Sequence, residues 1–292
     1  MAVLDPVKFV IIGAKGQLGT ALKKKYPQAT AVDSDELDIT NADEVARYDW
    51  SNVSVILNAA AYTNVDGAET LGGRAIAWRV NAVGVANLTK AAMTHNLTLV
   101  HVSSEYVFDG TVSPHGEDEP LTPLGVYAQS KAAGDVAALL HDKTYILRTS
   151  WVIGDGQNFV RTMIGLAGRD ISPTVVGDQI GRLTFTSTLV DAVAHLLTTL
   201  PASGIYNISN DGDPASWADI TRAIFSELDR SDLTVTDTTT DDYFKTKPEA
   251  APRPLQSVMD LSKIKASGLD LRSWRDDLSK YVKYEVEKEK IS

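Results

Sequence analysis

A short apolar run that ends in a glycine-rich turn is the feature that most restricts the fold. Residues Phe9–Ile12 are continuously apolar, which is typical of a strand buried on both faces. Gly13, Gly16 and Gly19 follow at once, and a helical pattern continues to Tyr26. Glycines at such a turn let the backbone approach a pyrophosphate, and the helix N-terminus favours its negative charge. These residues predict a dinucleotide site, although a glycine triplet alone could be only a tight turn.

The following residues alternate strand and helix signals, which predicts a Rossmann-like doubly wound parallel sheet. Further strands are expected at 29–32, 53–57, 97–102, 144–148 and 204–208, and the last should rejoin the main sheet. One long helical pattern spans 68–95. A strand near 233–235 and a solvated Thr-Asp loop at 236–242 are expected late in the chain. We expect a dinucleotide-binding domain over 1–155, to which 183–208 returns, and a smaller discontinuous C-terminal substrate lobe over 156–182 and 209–292.

Composition narrows the possible functions. The chain has 292 residues, of which 43% are hydrophobic and 23% charged, as in an ordinary globular protein. The absence of cysteine excludes disulfides, thiolate catalysis and zinc-thiolate sites. A formal net charge of -10 argues against a nucleic-acid partner. Without a signal peptide or a membrane-length apolar run, we expect a cytoplasmic protein with no membrane partner. The five histidines have no ligand spacing, so no metal site is expected.

Tyr127 and Lys131 suggest carbonyl chemistry. Four residues apart, they would lie on one face of a helix, one turn from each other. A phenol has an ordinary pKa of about 10, and a neighbouring cation favours its ionised form. Ser103 and Ser104 end a predicted strand, where a hydroxyl could hold a carbonyl oxygen against the phenol. The set predicts ketone reduction or alcohol oxidation, although the pair alone could be an ordinary surface pair of a helix.

The end of the second predicted strand bears on the choice of cofactor. Asp33 stands where a carboxylate binds the adenine ribose hydroxyls and repels a 2′-phosphate, which favours NADH. Ser34 and Lys15 could instead meet a phosphate. Both NADPH and NADH are therefore expected to work, with no ranking between them.

Several motifs carry a family resemblance that runs from Phe9 to about Tyr281. Together they resemble the extended short-chain dehydrogenase/reductase superfamily and, within it, the dTDP-4-dehydrorhamnose reductase family. The motifs are the glycine turn and the segments 58–69, 103–110, 127–131, 178–184, 252–254 and 257–260.

The resemblance implies roles for individual residues. Tyr127 would be the general acid at the C4 carbonyl of a dTDP-sugar, and Lys131 would hold the nicotinamide ribose and lower the Tyr127 pKa. Ser104 would hold the carbonyl oxygen, in a place where the family usually has threonine. The implied cofactor-binding residues are Gly13, Gly16, Gln17, Leu18, Gly19, Asp33, Asp38, Ile39, Ala59, Ala60, Ala61, Tyr62, Asn81, Tyr127 and Lys131. The implied substrate-binding residues are Ser104, Tyr106, Trp151, Arg182 and Arg253, with core packing as the alternative for Tyr106 and Trp151.

Two departures from the family pattern and three alternatives accompany this interpretation. Leu183 replaces a usual proline, and Thr20–Lys23 lacks the carboxylate with which some relatives bind a dimer-bridging magnesium. We therefore expect a monomer or a homodimer that does not use that metal. A nucleotide-sugar 4-epimerase and a non-catalytic NADP-binding regulatory relative remain alternatives. A 4,6-dehydratase is disfavoured because Glu105 is followed by Tyr106, not by the second acid of an Asp-Glu pair.

Overall fold

The computed structural model describes residues 4–247 and 249–291. Residues 1–3, 248 and 292, which the two predicted domains include, lie outside the described part. The strands are β1 Phe9–Ile12, β2 Thr30–Val32, β3 Val55–Asn58, β4 Thr98–Ser104, β5 Thr144–Thr149, β6 Val152–Ile153, β7 Thr174–Val176, β8 Ile180–Gly181, β9 Thr184–Phe185, β10 Gly204–Ile208, β11 Ala215–Ser216 and β12 Thr236–Thr238. The α-helices are α1 Gln17–Lys25, α2 Ala42–Arg47, α3 Leu71–Trp78, α4 Val85–His95, α5 Val126–Ala138, α6 Phe159–Ala167, α7 Thr186–Thr199, α8 Trp217–Glu227, α9 Thr240–Phe244, α10 Ser262–Ala266 and α11 Trp274–Ile291.

Six strands form one parallel sheet in the order β10-β5-β4-β3-β1-β2. This confirms the predicted Rossmann-like fold, including the return of 204–208 to the sheet beside β5. The chain leaves β1 in one direction for β2 and later passes to its other side for β3. In such sheets the crevice at the carboxyl ends of the strands, where the order reverses, is the place where ligands bind.

Three large apolar clusters and two small ones hold the described part of the fold together. Alternate residues of the parallel strands face opposite sides, so Ile11 packs towards α1 and α7, whereas Ile12 packs towards α4. The third cluster lies away from the large sheet and includes Val160, Ile224 and Trp274. Burying each such side chain contributes about 1.5–3 kcal/mol. The separate third core provides the packing that a second lobe needs.

The helical pattern expected within 68–95 is confirmed, but a π-helical turn interrupts its α-helical geometry. Thr70 caps α3 by accepting a hydrogen bond from the Gly73 amide at 3.0 Å. A π-helical turn, Arg79–Gly84, then separates α3 from α4, and Asn96 ends α4 in a left-handed conformation. Because π turns arise where side chains or neighbouring elements insert into the helical ladder, the periodic apolar pattern did not reveal this one.

Two expectations for the late part of the chain are wrong. The strand expected at 233–235 is found at β12 instead, where it pairs in parallel with β7. The Thr-Asp run is not simply a loop, because it contains β12 and then α9, whose first turn is capped by the Thr239 hydroxyl. The sequence of β12 has no apolar run that would predict a strand. Its pairing with β7 and the hydroxyl cap of α9 determine the secondary structure of this segment.

No helix among residues 4–247 and 249–291 combines the length and apolar content that crossing a membrane requires.

Candidate active site

The glycine turn forms a cradle that leaves no room for a side chain at Gly13 or Gly19. Gly13 has a φ of +80°, and a Cβ there would lie 2.6 Å from the Ala60 amide nitrogen. A Cβ on Gly19 would overlap the carbonyl oxygen of Gly13. Gly16 caps α1 in an extended conformation. Close backbone approach next to a helix N-terminus suits a pyrophosphate, so the turn fits the group that a dinucleotide would place there.

A cleft of about 340 Å³ opens beside this turn. It is lined by most of the cofactor-binding residues that the resemblance implied. These are Gly13, Gly16, Asp33, Asp38, Ile39, Ala59, Ala60, Ala61 and Tyr62. Leu37, Thr40 and Val80 also line the cleft and were missed, because apolar and hydroxyl residues beside a motif have no chemical signature of their own.

Two predicted cofactor residues have other surroundings in this structure. Leu18 is buried in the core beneath the sheet, and the Gln17 amide donates to the Gln157 carbonyl at 3.4 Å. With Gly19, they begin α1 outside the lining of the cleft. Gln17, Leu18 and Gly19 could therefore bind a phosphate only through their backbone amides in the first turn of α1.

Tyr127 and Ser104 are brought together at the carboxyl edge of the sheet. The Ser104 hydroxyl at the end of β4 lies close enough to the Tyr127 phenol on α5 to lower the pKa of that phenol. It also donates to the Glu105 carboxylate at 2.9 Å and accepts from the Tyr106 amide at 3.2 Å. The buried Ser103 hydroxyl instead lies near Asp135, where it opposes the burial that raises the pKa of that carboxyl. Ser104 is therefore the serine whose surroundings suit the predicted catalytic role.

The expected lowering of the Tyr127 pKa is not observed. Burial raises the pKa of Tyr127 above its ordinary value, and the neighbouring Glu105 carboxylate adds to this effect, whereas the Ser104 hydrogen bond opposes it. Burial lowers the pKa of Lys131 to about 8, against the opposing charge of Asp135. The Lys131 ammonium donates to the Val102 carbonyl at 2.7 Å. The prediction failed because it counted the charge of the lysine but could not include the loss of solvent.

Beneath these residues lies a buried ion pair that was missed. Asp135 follows Lys131 by one turn of α5, and its carboxylate accepts a 3.0 Å hydrogen bond from Arg148 on β5. The His101 imidazole lies 4.0 Å from the same carboxylate, and burial lowers its pKa well below the ordinary value. The i, i+4 spacing of Lys131 and Asp135 was a usable signal. The pairing with Arg148 was not, because it depends on the position of β5.

Asn81 connects the cleft to the catalytic helix. Its amide oxygen accepts from the Tyr62 amide at 2.9 Å, and its amide nitrogen donates to the Ser130 hydroxyl at 3.0 Å. The side chain is fully buried in the π turn. Asn81 thus connects the edge of the cleft at Tyr62 with α5.

The predicted substrate residues have individual partners. Trp151 has a φ of +44° and stacks on Trp217 with a centroid distance of 3.7 Å. Arg182 donates to the carbonyls of Gly212 and Met259, so its guanidinium is held by backbone.

Tyr106 and Arg253 complete the predicted substrate set. The Tyr106 and Tyr127 rings meet edge to face at 5.9 Å, so Tyr106 lies against the predicted general acid. Arg253 forms an ion pair with Asp66 at 2.7 Å.

A phenol and a lysine on one helix, beside a strand-end hydroxyl and a dinucleotide cleft, place the chain in the short-chain dehydrogenase/reductase class of oxidoreductases. Residues 7–286 match the family model described as the RmlD substrate binding domain, and the chain belongs to that family.

Similar proteins agree with this assignment. The chain is 40% identical to a dTDP-4-dehydrorhamnose reductase of Aggregatibacter actinomycetemcomitans, with 95% of this chain and 99% of that protein covered. A crystal structure of a dTDP-4-dehydrorhamnose reductase from Clostridium acetobutylicum superposes with a TM-score of 0.87 at 33% identity, covering 94% of this chain and 98% of that one. The corresponding Bacillus anthracis enzyme, solved in complex with NADP, gives a TM-score of 0.86 at 33% identity and coverages of 93% and 97%. The resemblance found in the motifs is confirmed.

Proposed function

We propose that the protein uses NADH or NADPH to reduce the C4 keto group of dTDP-4-dehydro-L-rhamnose, giving dTDP-L-rhamnose. The observation that carries the proposal is the half-buried Tyr127 phenol close to the Ser104 hydroxyl, at the same sheet edge as the glycine cradle. The substrate is suggested by the relatives, which are named for this reaction.

A reduced nicotinamide, when bound, supplies the hydride that reaches the carbonyl carbon. The Tyr127 phenol carries its proton at neutral pH, because its ordinary pKa is about 10 and burial raises it further, so a proton is present to be transferred to the carbonyl oxygen. One hydride and one proton convert the ketone to a secondary alcohol and leave a phenolate on Tyr127. Lys131, one helical turn away, can stabilise that negative charge and hold a ribose hydroxyl.

Ser104 orients the carbonyl oxygen in this proposal. A serine hydroxyl has one proton to donate and two lone pairs. In the described structure that proton is directed at Glu105, so Ser104 must turn it towards the substrate when a ketone binds. The surrounding contacts with Glu105 and Tyr106 restrict the hydroxyl to a small region next to Tyr127.

The sugar nucleotide is expected between the dinucleotide domain and the smaller lobe. Arg253 is the better candidate for the diphosphate, because its charge acts on Tyr106, which lies against Tyr127, and because a guanidinium fork suits a diphosphate. Arg182 and Arg253 each use two donors on the protein, Arg182 to two carbonyls and Arg253 to the Ala251 carbonyl and the Asp66 carboxylate. The stacked Trp151 and Trp217 offer an aromatic surface for a base or sugar. A cytoplasmic location and a monomeric or homodimeric state stay predictions.

The proposal is tested by mixing the purified chain with dTDP-4-dehydro-L-rhamnose and NADH or NADPH and following the loss of nicotinamide absorbance. Tyr127→Phe should lower kcat about 10²–10⁴-fold because it removes the general acid. Tyr284→Phe, an exposed tyrosine of α11, is the matched control and should leave kcat unchanged. Dinucleotide binding without turnover of the ketosugar would contradict the proposal and favour a regulatory relative. Interconversion of C4 epimers without net oxidation would indicate an epimerase.

A further inference from the structure

The adenosine end of the cleft is surrounded by carboxylates that already use the local hydrogen-bond donors. Asp33 accepts from the Lys15 amide at 2.8 Å and from the Ser34 amide at 2.9 Å. The amide of Asp33 itself donates to the Glu36 carboxylate at 2.7 Å. The backbone N–H groups of Lys15, Asp33 and Ser34, which could otherwise bind an anion, therefore already donate to carboxylates.

The nearby cation is also engaged. Lys15 is the only cationic residue among the described residues that line the cleft, whereas Asp33 and Asp38 line it as anions. The Lys15 ammonium lies 2.6 and 2.8 Å from the two oxygens of Asp35. A bound 2′-phosphate would carry about -1.5 to -2 charge and would need free donors or an unpaired cation. Neither is available at this edge without breaking an existing contact.

A ribose with free hydroxyls, in contrast to a phosphate, needs hydrogen-bond acceptors, and Asp33 can provide them. A carboxylate has about four lone-pair sites, and the two amides use one site on each oxygen of Asp33. The remaining sites can accept hydrogen bonds from a 2′- and a 3′-hydroxyl. Partial burial opposes ionisation of Asp33, but the amides of Lys15 and Ser34 lower its pKa, so it is an anion at neutral pH.

We propose that this edge of the cleft selects the dinucleotide with an unphosphorylated adenosine ribose, so that the protein binds NADH more tightly than NADPH, with Asp35 acting as the specificity residue that withholds Lys15 from a phosphate. The inference rests on the proposed cofactor site and gives that site a preference.

The test is calorimetric titration of the full chain with NADH and with NADPH, at low salt and without sugar nucleotide. NADH should bind at least about tenfold more tightly, a ratio that corresponds to roughly 1.4 kcal/mol. Asp35→Asn frees Lys15, so it should tighten NADPH binding about threefold or more and change NADH binding less than twofold, because an exposed charge contributes modestly. The matched control is Asp142→Asn, an exposed acid just before β5 at the opposite edge of the sheet, which makes the same change in net charge. It should leave both affinities unchanged.

The outcomes separate this inference from the proposed function. Equal affinities, or tighter binding of NADPH, overturn the preference even if the ketosugar is reduced. An identical gain in NADPH binding from Asp35→Asn and Asp142→Asn overturns the role of Asp35, as does a gain that persists when Lys15→Ala is added to Asp35→Asn. Preferential binding of NADH without reduction of the ketosugar overturns the proposed function and supports the preference. Failure to bind either dinucleotide overturns both.

Discussion

Each end of the active cleft has an ion pair, but one pair is buried and the other is exposed to solvent. At the catalytic end, the side chains of Asp135 and Arg148 are 0% and 2% exposed. At the adenosine end, those of Lys15 and Asp35 are 64% and 65% exposed. Removing one member of a buried pair leaves an unpaired charge without solvent, whereas water and salt take over the role of a missing surface partner. Similar contacts therefore contribute stability and pKa control at one end and ligand selectivity at the other.

The largest expected effect comes from breaking the buried pair. Asp135→Asn leaves the Arg148 guanidinium buried without its carboxylate, so the free energy of unfolding at pH 7 should fall by about 3–5 kcal/mol. Urea denaturation measures the change, with Asp142→Asn as the exposed control. The double variant Asp135→Asn/Arg148→Met removes both charges and should recover part of the loss. A loss below 1 kcal/mol for the single variant would show that the interior tolerates an unpaired arginine and would remove the contrast between the two ends.

The second effect concerns Glu105 and depends on pH. Burial raises the pKa of Glu105 to about 7 from 4.5, although hydrogen bonds from Ser104 and Ser257 oppose the shift. The folded protein therefore holds this proton at pH values where the unfolded chain has lost it. Stability contributed by the neutral acid is complete below about pH 4.5 and declines as pH rises to about 7, by roughly 3 kcal/mol in total.

Glu105→Gln should remove that decline, because the amide does not titrate. The measurement is the free energy of unfolding of both proteins from pH 4 to 8, and the quantity compared is the difference between the curves. Glu287→Gln on the exposed side of α11 provides the control and should run parallel to the original protein. If Glu105→Gln also ran parallel, Glu105 would be titrating as a solvated acid.

The smallest effect is expected at the exposed pair. Lys15→Ala should leave the thermal unfolding midpoint of the dinucleotide-free protein unchanged at both low and high salt, because solvent replaces the lost partner. Differential scanning calorimetry measures the midpoint. A decrease comparable to that of Asp135→Asn would mean that the adenosine end is also part of the structural core, and the comparison between the two ends would fail.

Much of the fold was predictable where burial of an element also determines the apolar pattern of its sequence. The strand Gly204–Ile208 was predicted with the observed bounds, because a buried strand has a continuous apolar pattern. The β12 strand and the π turn around Asn81 were not predicted. Backbone pairing on an exposed edge determines the first, and side-chain hydrogen bonds to Tyr62 and Ser130 accompany the second.

The candidate site divides in the same way. Helical periodicity correctly placed Tyr127 and Lys131 on one face, and the end of β4 placed Ser104 within reach of the phenol. The direction of the Tyr127 pKa was wrong, and the Asp135–Arg148 pair was missed. Both depend on how completely α5 covers β4 and β5, which is a property of the assembled layers and not of any short segment.

The return of β10 to the sheet has a consequence for protein synthesis. Five of the six strands are complete at Thr149, but the partner of β5 is finished only at Ile208. At about 5–20 residues per second, a ribosome needs roughly 3–12 s to make the intervening chain. During that interval β5 presents an open edge of N–H and C=O groups that another strand could occupy. The nascent chain must therefore keep one side of its central sheet unpaired until residues 150–208 have been made, whereas most of the second lobe is made after Ile208.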